Sequence, residues 1–361
     1  MKKLITNQFW ILMSVFLLFS SVSYSQFTNF EFLKSGPVDA AKITEAYITP
    51  WANAFGAGAN GSWYNTAKPH KFGGFDITLT TNVGMVPSSD NTFDVSKIGL
   101  SSLTTGTGLA PTVSGPNVVG PQMTVKQNYA GTLYTVATFN TPKGLDWKLM
   151  PYPTLQLGIG LPLGTEVKIR YIPKVTIGGD KDDISSWGIG LMHSIMQYMP
   201  GHKLSPFDLS VFGGYTILKG NVKMDLKPGT PQFYTAYSPT TSFNNQKSGM
   251  TVQAWNASAI ASVNLRVITF YGGLGYSKTS TEVTMTGNFP LPTINPSKSL
   301  TGPVYEDAGV LKDFPKLSIN NFSGVRVNLG FRLKLGVFTM QADYTRAYYN
   351  VVSAGLGLSF R

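Results

Sequence analysis

The sequence predicts an all-β fold, a transmembrane antiparallel β-barrel of about 12 to 14 strands with a short N-terminal helical segment. Three observations carry that expectation: an export leader at the start, period-two alternation in the strands, and connections that alternate between long and short along the chain.

The leader comes first. Lys2 and Lys3 precede an apolar run from Phe9 to Phe19, and small residues at Ser23 and Ser25 follow it. This is the pattern of a secretory signal, with cleavage expected after Ser25. The run is too short and too early to be a convincing spanning helix. The chain contains no cysteine, which excludes a lipidated N-terminus, a disulfide framework and thiolate metal ligation. No later segment approaches the ~20 apolar residues a membrane helix needs, so a membrane-spanning structure here has to be built from strands. Charged residues make up 13% of the chain, well below the roughly 25% of soluble domains, which suits a protein with two apolar surroundings. The formal charge of +11 includes Lys2 and Lys3. Nucleic acid is not an expected partner, because the leader exports the chain and no basic cluster with interleaved aromatics occurs.

Residues 26–70 follow, read as an N-terminal plug or periplasmic segment. Ile43, Tyr47, Trp51 and Phe55 recur every fourth residue and define one helical face. Pro37 can open the helix, Pro50 predicts a kink or break, and Gly56, Gly58 and Gly61 predict its end.

Residues 71–361 carry the barrel pattern. In the first strand Phe75, Ile77, Leu79 and Val83 alternate with Asp76, Thr78, Thr80 and Asn82. Leu155, Leu157 and Ile159 oppose Gln156 and Gly158. Val167, Ile169 and Tyr171 oppose Glu166, Lys168 and Arg170, and the same polar row is extended to Lys174 with Pro173 placed at a bulge or edge. Near the C-terminus Val325, Val327, Leu329 and Phe331 alternate with Arg326, Asn328 and Arg332, and Met340 and Tyr344 alternate with Gln341 and Asp343. A charge on the lipid face near the bilayer midplane costs about 2–4 kcal/mol, so the apolar row is assigned to lipid and the polar row to the lumen. The lumen-facing candidates are therefore Lys168, Arg170, Arg326, Arg332 and Asp343. Long connections at 228–249 and 287–316 fall on one side, and short ones near Leu163, 200–206, Asn264 and Leu335 on the other, as in barrels with long outer loops and short periplasmic turns. Nine strands are legible from residue 153 onward. The region 73–140 is expected to add about three.

No catalytic set is read. His193 and Ser194 are adjacent and would point to opposite faces of a strand; His70 and His202 are read as turn residues. No metal-ligand spacing occurs, the Asp180, Asp182, Asp183 group is read as an exposed loop, and no cofactor motif is found.

The stretch Gly61-Ser62-Trp63-Tyr64-Asn65-Thr66-Ala67-Lys68-Pro69-His70-Lys71, with Gly74-Phe75-Asp76 and Ser205-Pro206-Phe207-Asp208-Leu209, resembles an uncharacterised family of Bacteroidota outer-membrane proteins. A looser, architectural similarity is to fatty-acid-channel barrels, which carry a helical plug ahead of their strands. The export leader and the barrel pattern together predict residence in the outer membrane after signal removal, with outer-membrane lipid and the barrel assembly machinery as partners. Two roles are expected to compete: a plugged channel for small apolar or anionic solutes, or a non-conducting barrel serving as subunit or scaffold of a complex with other envelope proteins. An enzyme is not expected.

Overall fold

The computed structural model describes residues 31–177, 182–200, 205–226, 243, 245–291 and 310–360. The leader, Asp180, Lys181, His202 and most of the two long connections lie outside the described residues.

A 3₁₀ turn at Glu31–Ser35 leads into helix α1 (Pro37–Asn60), and an extended linker joins α1 to strand β1 (Phe75–Met85). Short strands β2 (Thr92–Asp94), β3 (Thr104–Thr105), β4 (Leu109–Pro111), β5 (Gln122–Tyr129) and β6 (Thr132–Asn140) follow. The chain continues through β7 (Leu149–Leu161), β8 (Thr165–Ile177), β9 (Asp182–Ser194), β10 (Phe207–Lys223), β11 (Lys247–Leu265), β12 (Ile268–Pro290), β13 (Val310–Leu335), β14 (Phe338–Arg346) and β15 (Val351–Phe360). Strands β7 to β15 pair antiparallel in sequence order, and β1 closes the ring by pairing with both β7 and β15. The closing seam runs from Phe75 opposite Phe360 to Gly84 opposite Val351.

The barrel thus has ten strands, not 12 to 14. The nine strands counted from the C-terminal part are present, and the excess lies wholly in residues 86–148. There β2 pairs with β4, and β3, β5 and β6 form a separate small sheet, so these segments build a cap instead of wall. Their composition is that of strands, but composition does not say which sheet a strand joins. Strands β12 and β13 also reach into the stretch read as a connection. At the end of the ring away from the short turns their side chains pack into the cap core (Met285, Phe289, Phe314), and in β12 the inside–outside alternation is lost after Met285.

Along the wall, burial alternates residue by residue. In β1, Asp76, Thr78, Thr80 and Asn82 are buried while Phe75 and Ile77 are exposed. In β13, Arg326, Asn328 and Arg332 are buried while Val325, Val327, Leu329 and Phe331 are exposed. Large apolar side chains thus cover the outer surface, among them Trp187 and Ile189 on β9, Trp255 on β11, Leu274 on β12 and Leu356 on β15. The alternation breaks at Pro173, where β8 bulges against β9 between Ile172 and Val175. The extra residue re-aims Lys174, which is exposed and pairs with Asp183 at 3.1 Å instead of joining the inward row. Asp182 and Asp183 are the first residues of β9, not part of a free loop.

Helix α1 lies inside the ring, packed against β1, β7, β10, β11, β12 and β13. It runs through Pro50 and past Gly56 and Gly58, ending at Asn60. In a free helix an interior proline costs about 3 kcal/mol; here wall contacts on several sides hold the segment helical. The glycines serve approach, not termination. A Cβ at Gly56 would overlap the Thr279 side chain, and one at Gly84 on β1 would overlap the Ala54 carbonyl of α1. The upper part of α1 leaves the ring and enters a core with the cap, where Ile43 meets Val95, Ala110, Met123, Phe139 and Phe289.

Replacing Gly84 by Val should therefore destabilise the barrel by on the order of 1–3 kcal/mol, the usual range for overpacking, read as a lower urea midpoint in detergent. Gly213→Ala on β10, where a Cβ meets nothing within 4 Å, should leave the midpoint unchanged. Equal midpoints for the two variants would show that α1 does not seat against β1.

Candidate functional site

The candidate site is the interior of the ring, where the end of α1 and the linker 61–74 meet the wall. A helix end leaves its last carbonyls without intrahelical donors. In α1 these are supplied from the wall. Arg170 on β8 donates from Nη1 to the Ala59 carbonyl at 3.1 Å and from Nη2 to the Gly61 carbonyl at 2.8 Å. Its Nε donates to Gln156 Oε1 at 2.9 Å, and its guanidinium lies 3.8 Å from the centre of the Trp63 ring. Arg326 on β13 donates to the Asn60 carbonyl at 2.7 Å. Two guanidinium groups from opposite parts of the wall thus sit on the negative end of the helix dipole. Arg170 is 1% exposed and Arg326 2%, so both charges are fully withdrawn from bulk water.

The linker continues the same arrangement downward. Tyr64 donates to Asn328 at 2.6 Å, Arg332 donates to Asn65 at 3.1 Å, and Asn65 donates to Gln341. Gln341 in turn donates to Ser62 at 3.1 Å, and the Ala67 amide donates to Ser262 at 3.0 Å. Trp63 and Tyr64 pack with Phe212, Ile260 and Tyr271 into one buried cluster. Asp343, on the wall beside this linker, accepts from Tyr271 at 3.1 Å. Lys168 lies lower, paired with Glu166.

All five lumen-facing candidates, Lys168, Arg170, Arg326, Arg332 and Asp343, are buried on the inner face of the ring. Three of them, Arg170, Arg326 and Arg332, are brought to the plug. The helix-face candidates do not act as one surface. Ile43 belongs to the cap core; Tyr47 donates to the Lys143 carbonyl at 2.8 Å; Trp51 and Phe55 meet edge to face at 4.8 Å against Met150, Phe322 and Tyr349. His193 is hydrogen-bonded to Thr165, Tyr198 and Gln197.

His70 corrects the sequence reading. It is not a turn residue at the surface but a buried one, with Nδ1 3.0 Å from Glu166 Oε2 and Nε2 3.2 Å from Ser359 Oγ. The residues that reasoning from sequence missed are Asn60, Trp63, Tyr64, Asn65 and His70. The density of aromatic and amide side chains between Asn60 and His70, in a stretch with no strand or helix period, was the available signal.

A family model spans residues 1–360 of this sequence. The chain belongs to DUF6588, a family of unknown function. No curated protein matches the DUF6588 chain. Among solved structures it is similar to the translocator domain of the autotransporter NalP from Neisseria meningitidis, at 12% identity and a TM-score of 0.30 over 88% of this chain and 97% of that one. It is also similar to Ail, the attachment invasion locus protein of Yersinia pestis, at 7% identity and a TM-score of 0.25 over 80% and 98% of the two chains. OmpT, an outer membrane protein of Vibrio cholerae, aligns at 12% identity with a TM-score of 0.17 over 80% and 100%. At these scores the likenesses add nothing to the fold assignment made above from strand pairing.

Arg170→Ala should cost more than Arg332→Ala, because it strips donors from the two buried carbonyls that end the helix, at about 1–3 kcal/mol each, whereas the Arg332 contact with the linker goes to the side-chain amide of Asn65. Arg170→Lys should not restore the loss, since an ammonium cannot span both carbonyls and lie flat on Trp63. Urea unfolding in detergent reads the order, and equal losses for the two alanine variants would show that the guanidinium–carbonyl contacts do not hold the plug.

Proposed function

We propose that this protein is an outer-membrane β-barrel that its own N-terminal helix keeps closed, and that it works as a non-conducting subunit or scaffold of the envelope. What carries the reading is the use of Arg170 and Arg326: the buried wall charges that would select ions in an open pore are spent on the carbonyls that end the plug. Residence in the outer membrane is supported by the closed ring, which leaves no unpaired edge, and by the apolar side chains that line its outside. Connection lengths support the orientation. Residues 162–164, 266–267 and 336–337 are tight turns on the end where β15 finishes, and the cap, residues 86–148, stands on the other. Exposed apolar residues on the cap, Leu133 and Tyr134 on the β5–β6 hairpin and Val118 and Val119 before it, favour contact with another envelope protein.

A channel for small apolar or anionic solutes is the second reading, favoured by the polar inner row, which has the composition of a wall made to face water. It requires the plug to leave or shift. Planar-bilayer recordings separate the two. The intact protein should be silent, and a variant lacking residues 31–60 should conduct; steady conductance from the intact protein would end the non-conducting reading. Purification in mild detergent should bring down stoichiometric protein partners, whereas a lone barrel would favour the channel.

The direction of α1 gives a further test. Its first turn is in the cap and its last at the level of Arg170, so the residue 31 end emerges on the outer side. An epitope inserted just before residue 31 should be reached by antibody on intact cells; labelling only after permeabilisation would reverse the orientation.

A further inference from the structure

At the lower end of the lumen the linker and the wall bring together His70, Asp76 and Glu166, one from the linker, one from β1 and one from β8. We propose that these three side chains form a binding site for a divalent transition-metal cation of the zinc type. Their ligand atoms lie within 4.8 Å of one another, and all three residues are buried. His70 Nδ1 is 3.0 Å from Glu166 Oε2 and 3.7 Å from Asp76 Oδ1. Ligands bound at ~2.1 Å to one ion stand about 3.0–3.4 Å apart, so the spacing suits a shared cation.

Two further observations point to a ligand. Asp76 Oδ1 is fully buried and has no hydrogen-bond partner, a costly state for a carboxylate oxygen. A proton on His70 satisfies Glu166 but leaves Asp76, at 3.7 Å, beyond hydrogen-bonding reach. A metal ion uses all three. The wall also keeps the space open: a Cβ at Gly158, which pairs with Asp76 on one side and Lys168 on the other, would overlap Asp76 Oδ1 and lie 2.8 Å from Glu166 Oε1.

Each ligand is held from behind. Ser359 Oγ lies 3.2 Å from His70 Nε2, so in the tautomer that donates from Nε2 to Ser359 the Nδ1 lone pair is free to face a cation between the carboxylates. Thr78 donates to Asp76 Oδ2 at 2.8 Å. The His70 amide donates to Glu166 Oε2 at 2.8 Å, and Lys168 pairs with Glu166 Oε1. The Lys168 ammonium offsets one of the two carboxylate charges, which leaves one to be met by the cation. One imidazole with two carboxylates suits zinc-type ions better than calcium or magnesium, which take oxygen ligands in larger number.

The site was invisible to spacing rules because residues 70, 76 and 166 fit no local motif; only the pairing of β1 with β7 and of β7 with β8 assembles them. The test uses the full mature protein, purified from membranes in detergent and stripped with EDTA. Isothermal titration with Zn²⁺ should show one equivalent per chain, and Co²⁺ should give visible absorption of a low-symmetry nitrogen–oxygen site. Asp76→Asn, which keeps the shape and the His70–Glu166 contact, should weaken binding by about 10-fold or more, and His193→Ala should bind as the parent does. Absence of one-to-one binding by the intact protein, or full binding by Asp76→Asn, would overturn the proposal. If Asp76→Asn fails to fold, the Co²⁺ spectrum of the intact protein decides alone: no visible band means no metal site.

Discussion

The narrowness of a ten-stranded ring governs this structure. Barrels of about eight strands are filled by their own side chains, and two further strands widen the interior only slightly. An ordinary helix, about 10 Å across with its side chains, does not fit beside an ordinary wall. Here both surfaces are pared down. The second half of α1 is built from Ala52, Ala54, Gly56, Ala57, Gly58 and Ala59, and the wall facing the plug uses Gly84, Gly188, Gly190 and Gly273. Glycine therefore has opposite meanings in neighbouring stretches of this chain: at Gly61 it ends a helix, at Gly56 it lets one pass. The sequence-based expectation that α1 stops near Gly56 rests on the first meaning, and the close approach to Thr279 supplies the second.

The wall was legible from sequence because lipid and lumen impose opposite demands on successive residues. That contrast is strongest in β13 to β15, where Val325 to Phe331 and Arg326 to Arg332 never share a face. It fades where a strand leaves the band of lipid, as in the upper parts of β12 and β13, and it vanishes in β2 to β6, which serve the cap. Phase also survives only until a bulge, and Pro173 marked one: Arg170 before it is buried, Lys174 after it is exposed. Contacts between the linker and the wall had no such signature. Tyr64 with Asn328 and His70 with Glu166 join residues far apart in the chain, and each depends on a strand register that alternation does not specify.

The charged interior follows from the same crowding. A bare helix end in a water-poor lumen leaves carbonyls without donors, and a guanidinium supplies several in a fixed plane. Arg170 serves two carbonyls, an amide oxygen and an indole face at once, so a single residue reads the end of α1, its following turn and a neighbouring strand. Arginines that read in the sequence as charges facing an open lumen become fasteners once a helix occupies the space in front of them.

The seam between β1 and β15 joins the two ends of the described wall, with Phe75 facing Phe360. Such a pairing has the largest separation in sequence of any in the ring, and contacts of that kind form late and slowly. The plug hangs from the same strand through a linker of only 14 residues, numbered 61 to 74, that is itself hydrogen-bonded to β8, β10, β11, β13 and β14. Seam and plug therefore hang on one strand: whatever loosens β1 from β15 loosens the strand to which the linker and its helix are tied.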